Sequence, residues 1–243
     1  MPTVRSTGAD TGGRLADLTV LVPDGRSVDS RSVAAYYLIR DLIVTLELSP
    51  GQVVVERELM ERLHLGRTPV REALRRLGDE GLVLIYARRG MVVAPVHLAD
   101  LEEVSEVRLD LEGLAARQAA RRADAGDRQR IDDLITEIRG RSGRQDPRDL
   151  IRLDQRVHQC VHRAAHNNYL QATLDEYLTL SLRLWFLGLD RVHRLDAAIA
   201  EHGDILHAVA EGDAAGAEAA ARAHVASFWQ AIRAVLVSPA EQG

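Results

Sequence analysis

The sequence predicts a mainly α-helical protein in two parts: three helices with a β-hairpin, followed by an all-helical bundle. Apolar residues at helical spacing follow Arg67 and end near Leu82. Two short runs rich in branched aliphatic residues then flank the tripeptide Arg88-Arg89-Gly90. From Leu98 onward the sequence carries only helical periodicity. These three observations set the predicted fold class.

Composition excludes several kinds of chemistry. All 31 basic residues are Arg, so a lysine-based phosphate loop, a Schiff base and a lysine nucleophile are ruled out. A single cysteine, Cys160, excludes an internal disulfide or a thiolate zinc cluster and suits a reducing compartment. The chain has no apolar run of membrane-spanning length and no signal-peptide pattern. We therefore expect a cytoplasmic protein without a membrane partner.

Charge is distributed unevenly. The net charge of −5 argues against general binding to nucleic acid. Residues 31–95, however, carry ten Arg against eight acidic residues, and the remainder carries 21 against 28. A surface for DNA must therefore be local to the first part of the chain.

The first part is predicted to be a winged helix-turn-helix over residues 31–96, preceded by a disordered tail over residues 1–30. Helices are expected at 33–48, at 56–64 and from Arg67 to Gly81, with strands at 82–86 and 91–96 around the tight turn. In this plan the third helix enters the DNA major groove and the hairpin tip reaches the backbone or the minor groove.

The third helix has an apolar back and a basic front. Thr68 is expected to cap it, with Pro69 at the first helical position. Arg71 and Arg75 lie one turn apart on the arc opposite the apolar residues. The planar fork of arginine matches the O6/N7 edge of guanine. The alternative is an ordinary solvated helix face.

The second part, residues 97–238, is predicted to be all-helical. Each segment is amphipathic and ends at a glycine, asparagine or similar break. The six predicted helices are 98–122, 127–140, 147–166, 169–189, 193–211 and 214–237.

Polar residues on the apolar faces of these helices suggest a metal site. Asp154 and His158, spaced i,i+4, lie at the edge of one apolar arc, and His202 and His224 lie at the centres of two others. His162 is expected at the margin of its arc. An uncompensated buried carboxylate is costly, and Asp plus three His suits Zn²⁺, Ni²⁺, Mn²⁺ or Fe²⁺. The alternative is a set of hydrogen-bonded core histidines.

Arg108 lies within the apolar arc of the first helix of this part, with Glu112 one turn away. Two interpretations remain open. The pair could be a structural buried ion pair, or Arg108 could face the metal cavity and bind the carboxylate of a small effector.

At this point the sequence resembles the GntR family of transcription factors, in its FadR-like branch with a C-terminal FCD domain. Nine motifs carry the resemblance over about residues 33–237. They are Leu48-Ser-Pro-Gly51, Val55-Glu-Arg-Glu-Leu59, Arg67-Thr-Pro-Val-Arg-Glu-Ala-Leu74, Glu80-Gly-Leu-Val83, Arg88-Arg-Gly90, Glu106-Val-Arg108 with Leu111-Glu112, Asp154-Gln-Arg-Val-His158, Glu201-His202 and His224. Six helices look like the shorter, VanR-like version. The chain departs from the family at His64 and Gly66, where Gly and Ser are usual.

The resemblance implies roles for individual residues. The residues that it places against DNA are Arg57, Arg67, Thr68, Arg71, Arg88 and Gly90. The residues that it makes metal ligands are Asp154, His158, His202 and His224, with zinc preferred and nickel, manganese or iron as alternatives. From the residues alone, Arg57 could instead pair with Glu61.

The leading hypothesis is a homodimeric transcriptional repressor that binds operator DNA and responds to a small carboxylic acid bound at the metal site. One alternative is a metal-dependent hydrolase or lyase with a DNA-binding module, since such a metal could activate water. Another is a regulator in which the metal is structural or is itself the signal. The first hypothesis predicts no enzyme activity.

Overall fold

A computed structural model describes residue 28 and residues 30–88, 90–141, 147–188 and 195–237. Its contacts divide the chain into two compact units between Pro95 and Val96. The predicted tail lies almost wholly outside the described residues. The predicted domain limits of 31–96 and 97–238 stay predictions.

The first unit contains three helices and three short strands among its described residues. They are α1 Arg31–Val44, β1 Val53–Val54, α2 Glu56–Leu63, α3 Arg67–Asp79, β2 Val83–Tyr86 and β3 Gly90–Val93. The sheet order is β1-β3-β2 with antiparallel pairing, and Val53 lies opposite Val92. The predicted hairpin is present, and β1 adds a strand at its edge. β1 was not predicted, because two residues are too few to show the alternation of apolar and polar side chains that indicates a strand.

The predicted back of α3 is confirmed. Val70, Ala73, Leu74 and Leu77 are buried and pack against α1, whose Ile39 and Ile43 are fully buried. The opposite side of α3 therefore has a fixed orientation toward solvent.

The expected cap of α3 is wrong. Gly66, not Thr68, is the N-cap residue, with extended backbone (φ −74°, ψ 169°) and no side-chain cap. Thr68 is consequently the second helical residue and Pro69 the third. His64 ends α2 in the left-handed region (φ 52°), where glycine is favoured because it lacks a Cβ atom. Glycine, the residue that the family resemblance implies at this position, would adopt this conformation without strain.

The second unit has six helices in its described part, as predicted. They are α4 Leu98–Arg122, α5 Ala125–Gly140, α6 Pro147–Ala164, α7 Asn168–Gly188, α8 Leu195–Glu211 and α9 Ala214–Val237. The predicted end of one helix at 189 and the start of the next at 193 lie outside the described residues. No described helix is long and apolar enough to cross a membrane.

Small side chains let α4 and α9 pack closely. Ala115, Ala116 and Ala119 of α4 and Ala217 and Ala221 of α9 are almost completely buried, and these two helices make extensive contact. α6 packs against α4, α7 and α8. The inward faces of α6, α8 and α9 therefore meet beside α4, and this is where the polar residues of the core lie.

Candidate metal centre and nucleic-acid interface

Four buried side chains from three helices converge in the second unit. Asp154 and His158 come from α6, His202 from α8 and His224 from α9. One donor atom from each lies within 4.8 Å of the donor atoms of the other three. The Nε2 atom of His202 is 3.4 Å from Nε2 of His158 and 3.5 Å from Oδ1 of Asp154. The structure thus brings together all four residues that the sequence predicted as ligands.

Two carboxylates orient two of these imidazoles. Glu112 of α4 lies 3.2 Å from Nδ1 of His158, and Glu201 lies 2.9 Å from Nδ1 of His224. Each carboxylate accepts a hydrogen bond from Nδ1–H, which leaves the Nε2 lone pair free. Ser227 in turn donates to Glu201 at 3.0 Å. Metal-binding histidines commonly have such carboxylate partners.

The protonation states suit a metal-binding group. Burial, together with neighbouring His224 and His158, holds the pKa of His202 well below its ordinary value. Burial also lowers the pKa of His158, although Glu112 opposes this. Burial raises the pKa of Asp154 to about 6 despite the positive charge of Arg108. The group therefore offers two imidazoles, those of His158 and His202, that favour the neutral form, and a carboxylate that a cation would stabilise.

Glu112 is the centre of a second buried cluster. Its carboxylate accepts hydrogen bonds from Arg108 Nη2 at 2.7 Å and from His162 Nε2 at 2.9 Å. His162 Nδ1 lies 3.4 Å from Asp175 Oδ1. Burial acts to raise the pKa of Glu112, but His158, His162 and Arg108 together hold it well below its ordinary value. Burial acts to lower the pKa of His162, but Glu112 and Asp175 raise it to about 9.

The expected position of His162 at the margin of its helix face is therefore wrong. Its side chain is fully buried, because α4 and α7 supply carboxylates on the side that a helical wheel leaves open. Glu201, Ser181 and Asp175 had no role in the sequence-based prediction. Glu201 could have been found from its place beside His202 in a family motif.

Arg108 forms the buried ion pair that was one of the two interpretations of the sequence, and its effector-binding role stays a prediction. It forms the buried ion pair with Glu112 and also donates from Nη1 to Ser181 Oγ at 2.7 Å. Its Nε atom has no hydrogen-bond partner among the described residues. Arg108 lines a chamber next to the four candidate ligands. The chamber is bounded by Arg108, Asp154, His158, Leu178, Ser181, Leu182, Trp185, His224, Val225 and Phe228.

The six residues predicted to face DNA are all exposed in the first unit. Arg67, Thr68 and Arg71 lie on the first two turns of α3, and Arg88 and Gly90 flank the turn between β2 and β3. Arg57 on α2 pairs loosely with Glu61 at 3.6 Å, and both side chains are largely exposed.

Arg76 of α3 has an intramolecular role. Its Nε atom is 3.1 Å from Glu80, and its guanidinium lies 3.6 Å from the ring centroid of Tyr36. The Tyr36 hydroxyl also donates to Glu80 at 2.7 Å. These contacts link the end of α3 to α1. Arg76 therefore stabilises the packing of the two helices and is not among the residues predicted to face DNA.

A winged helix-turn-helix unit followed in the chain by an all-helical unit with a buried polar centre is typical of DNA-binding transcriptional regulators. Residues 31–93 match the family described as "Bacterial regulatory proteins, gntR family", and residues 103–227 match the FCD domain. The chain belongs to the GntR family of transcriptional regulators and carries an FCD domain. The resemblance seen in the sequence motifs is thereby confirmed.

Relatives and solved structures agree with this assignment. The chain is 30% identical over 209 residues to an HTH-type transcriptional regulator from Streptomyces ambofaciens, covering 82% of this chain and 84% of the relative. It is 26% identical over 200 residues to the HTH-type transcriptional repressor RspR of Escherichia coli, covering 82% and 88%. In fold it is similar to E. coli McbR/YncC, with a TM-score of 0.71 at 20% identity over 86% of this chain and 97% of that one.

A further relative matches only in part. An HTH-type regulator from Agrobacterium vitis, in the TAR-I ttuE-ttuC' intergenic region, is 42% identical over 103 residues, which is 42% of this chain and 60% of the relative.

The regulators in this family are not enzymes, and the hydrolase or lyase alternative is set aside.

His162 should make the stability of the second unit depend on pH. Burial acts to lower the pKa of His162, but Glu112 and Asp175 raise it to about 9. Its contribution to the free energy of unfolding is therefore complete below about pH 6.5 and is lost as pH rises through 9. Both tryptophans, Trp185 and Trp229, lie in this unit, so their fluorescence in urea reports its unfolding selectively.

We expect the metal-free wild type to lose more stability between pH 6.5 and 9 than His162→Gln does. His207→Gln, on the half-buried face of α8, is the matched control and should follow the wild type. Identical pH dependence in the wild type and His162→Gln would contradict the protonated His162.

Proposed function

We propose that this regulator binds operator DNA through the exposed residues of α2, α3 and the β2–β3 turn, and that a small carboxylic acid bound beside a divalent metal controls this binding. The observation that carries the proposal is the convergence of Asp154, His158, His202 and His224 next to the Arg108 chamber. We further propose that it acts as a homodimeric repressor, since paired winged helices read two half-sites about one DNA turn (~34 Å) apart.

DNA recognition is assigned to Arg57, Arg67, Thr68 and Arg71, with Arg88 and Gly90 at the wing. The buried apolar back of α3 fixes which side of the helix faces outward, and Arg67 and Arg71 lie on that side. Their guanidinium groups suit guanine in the major groove, while the wing residues suit backbone or minor-groove contact.

Arg71→Ala should weaken binding to a duplex that the full-length protein has selected from a random library. We expect a loss of roughly 1–3 kcal/mol, because one bidentate base contact is removed. Fluorescence anisotropy at a fixed salt concentration measures this. Arg152→Ala removes an exposed, ion-paired arginine from the second unit and is the control for charge. Unchanged affinity of Arg71→Ala would rule out the recognition role.

A divalent metal is assigned to the four converging side chains. Three imidazoles and one buried carboxylate form a donor set that suits zinc, with nickel, manganese and iron as alternatives. When bound, the metal would join α6, α8 and α9 and offer a positive charge to an acidic ligand. The raised pKa of buried Asp154 supports this assignment, because the carboxylate gains a cation.

His202→Ala should abolish stoichiometric metal binding, because it removes the most deeply buried donor. We expect elemental analysis to find little metal in the purified variant, and zinc to stop raising the unfolding temperature reported by Trp185 and Trp229. His207→Ala changes the same helix outside the group and should retain metal. Full metal content in His202→Ala would contradict the ligand assignment. A change in DNA affinity caused by metal alone would favour a metal sensor.

The chamber favours one kind of effector. Besides three of the candidate metal ligands, its polar lining comes from Arg108 and Ser181, while its apolar walls are Leu178, Leu182, Trp185, Val225 and Phe228. Glu112 and Asp175 lie against Arg108 and His162, so the positive charge of a divalent metal beside Asp154 is what an acidic ligand would meet. A carboxylate would contact that metal and the Arg108 guanidinium together. We therefore assign a monocarboxylic acid with an apolar body rather than a polyhydroxylated acid.

Arg108→Lys should weaken binding of such acids at least tenfold, because lysine keeps the charge and loses the planar fork. Benzoate and 3-methylbutanoate are the probes and gluconate is the polar comparison, each titrated into zinc-loaded protein by calorimetry. Arg117→Lys, on the same helix and paired with Glu218, is the control. Equal affinity of Arg108→Lys and wild type for benzoate would disprove the contact.

A further inference from the structure

Arg71 is held from one side by an acidic residue of the preceding helix. Glu56 is the first residue of α2, and Arg71 Nε donates to its two carboxylate oxygens at 3.0 and 3.1 Å. The Arg71 side chain is 63% exposed, whereas that of Glu56 is only 26% exposed. The contact therefore leaves the outer part of the guanidinium facing solvent.

The nitrogens of the Arg71 guanidinium fall into two groups, one that contacts Glu56 and one that faces outward. The Nε–H group is engaged by Glu56, so the terminal nitrogens Nη1 and Nη2 remain as the outward fork. Two parallel N–H donors are what guanine O6 and N7 require. A side chain already fixed by Glu56 loses less conformational freedom on binding than a freely rotating one.

We propose that Glu56 is a specificity-determining residue that positions Arg71 for a guanine in the operator. This proposal rests on the DNA-binding role assigned above to Arg71. Glu56 itself makes no base contact in this account. Its effect passes through the orientation of the arginine.

Neither the stability of the protein nor its affinity for DNA explains an acidic residue at position 56. An exposed ion pair contributes little to the free energy of unfolding. A carboxylate near the DNA-facing side also repels phosphates, and so lowers affinity for any duplex. An acid in the first turn of α2 is favoured by the helix dipole, which helps to hold Glu56 in place. What Glu56 adds is a fixed direction for Arg71.

A second acidic residue in the first turn of α2 provides the matched control. Glu58 is exposed and lies two residues after Glu56. Glu58→Gln removes the same charge from the same turn without releasing Arg71, and it leaves the Arg57–Glu61 pair in place.

The test uses the full-length protein and a duplex that it has selected from a random library. Affinities are measured for that duplex, for variants with each base pair replaced in turn, and for an unrelated duplex. Arg71→Ala identifies the base pair that Arg71 reads, as the position where discrimination is lost. Thermal unfolding checks that each variant is folded.

We expect Glu56→Gln to reduce discrimination at that base pair about tenfold while affinity for the unrelated duplex stays equal or rises. Glu58→Gln should keep the discrimination of the wild type. Adding Glu56→Gln to Arg71→Ala should cause no further loss of discrimination, because both changes act through one side chain.

Two results would overturn the proposal, and they differ in meaning. If Arg71→Ala relaxes one base pair and Glu56→Gln leaves discrimination there unchanged, Glu56 does not position Arg71, while the DNA-binding role stands. If Arg71→Ala relaxes no base pair, the recognition role of Arg71 and the positioning role of Glu56 both fail.

Discussion

The second unit depends on the burial of a single carboxylate, that of Glu112. A buried charge must be compensated by hydrogen bonds and opposite charge, and Glu112 receives both from Arg108, His158 and His162. These bonds fix α4 against α6 and turn the ring of His158 so that Nε2 points away from Glu112. The candidate metal centre thus relies on a helix that supplies none of its four donors. The same residue connects that centre to Arg108, where the proposed effector binds.

A common arrangement recurs in both units. Glu112 engages Nδ1 of His158, Glu201 engages Nδ1 of His224, and Glu56 engages Nε of Arg71. In each case a carboxylate occupies one nitrogen of a flat, delocalised group and leaves another nitrogen free to act. Outer contacts of this kind tune metal affinity and side-chain orientation. Three of the side chains to which we assign a function are therefore oriented by acidic neighbours.

Much of this could be predicted from local sequence patterns. The apolar back of α3 and the inward placement of His202 and His224 follow from helical periodicity, because each face is set within one helix. Strand β1 could not be predicted, since its two residues are defined by pairing with β3. The burial of His162 was missed because Glu112 and Asp175 come from other helices. Strand β1 and the burial of His162 both depend on contacts between residues distant in sequence, which the periodicity of a single segment does not show.

The central claim is that Asp154, His158, His202 and His224 bind one divalent metal. X-ray absorption spectroscopy of the zinc-loaded, full-length protein tests it most directly. The account predicts a nitrogen and oxygen shell at about 2.0–2.2 Å with the outer-shell scattering of three imidazoles. A sulfur shell at about 2.3 Å, which would implicate Cys160, or a spectrum without imidazole scattering would contradict it.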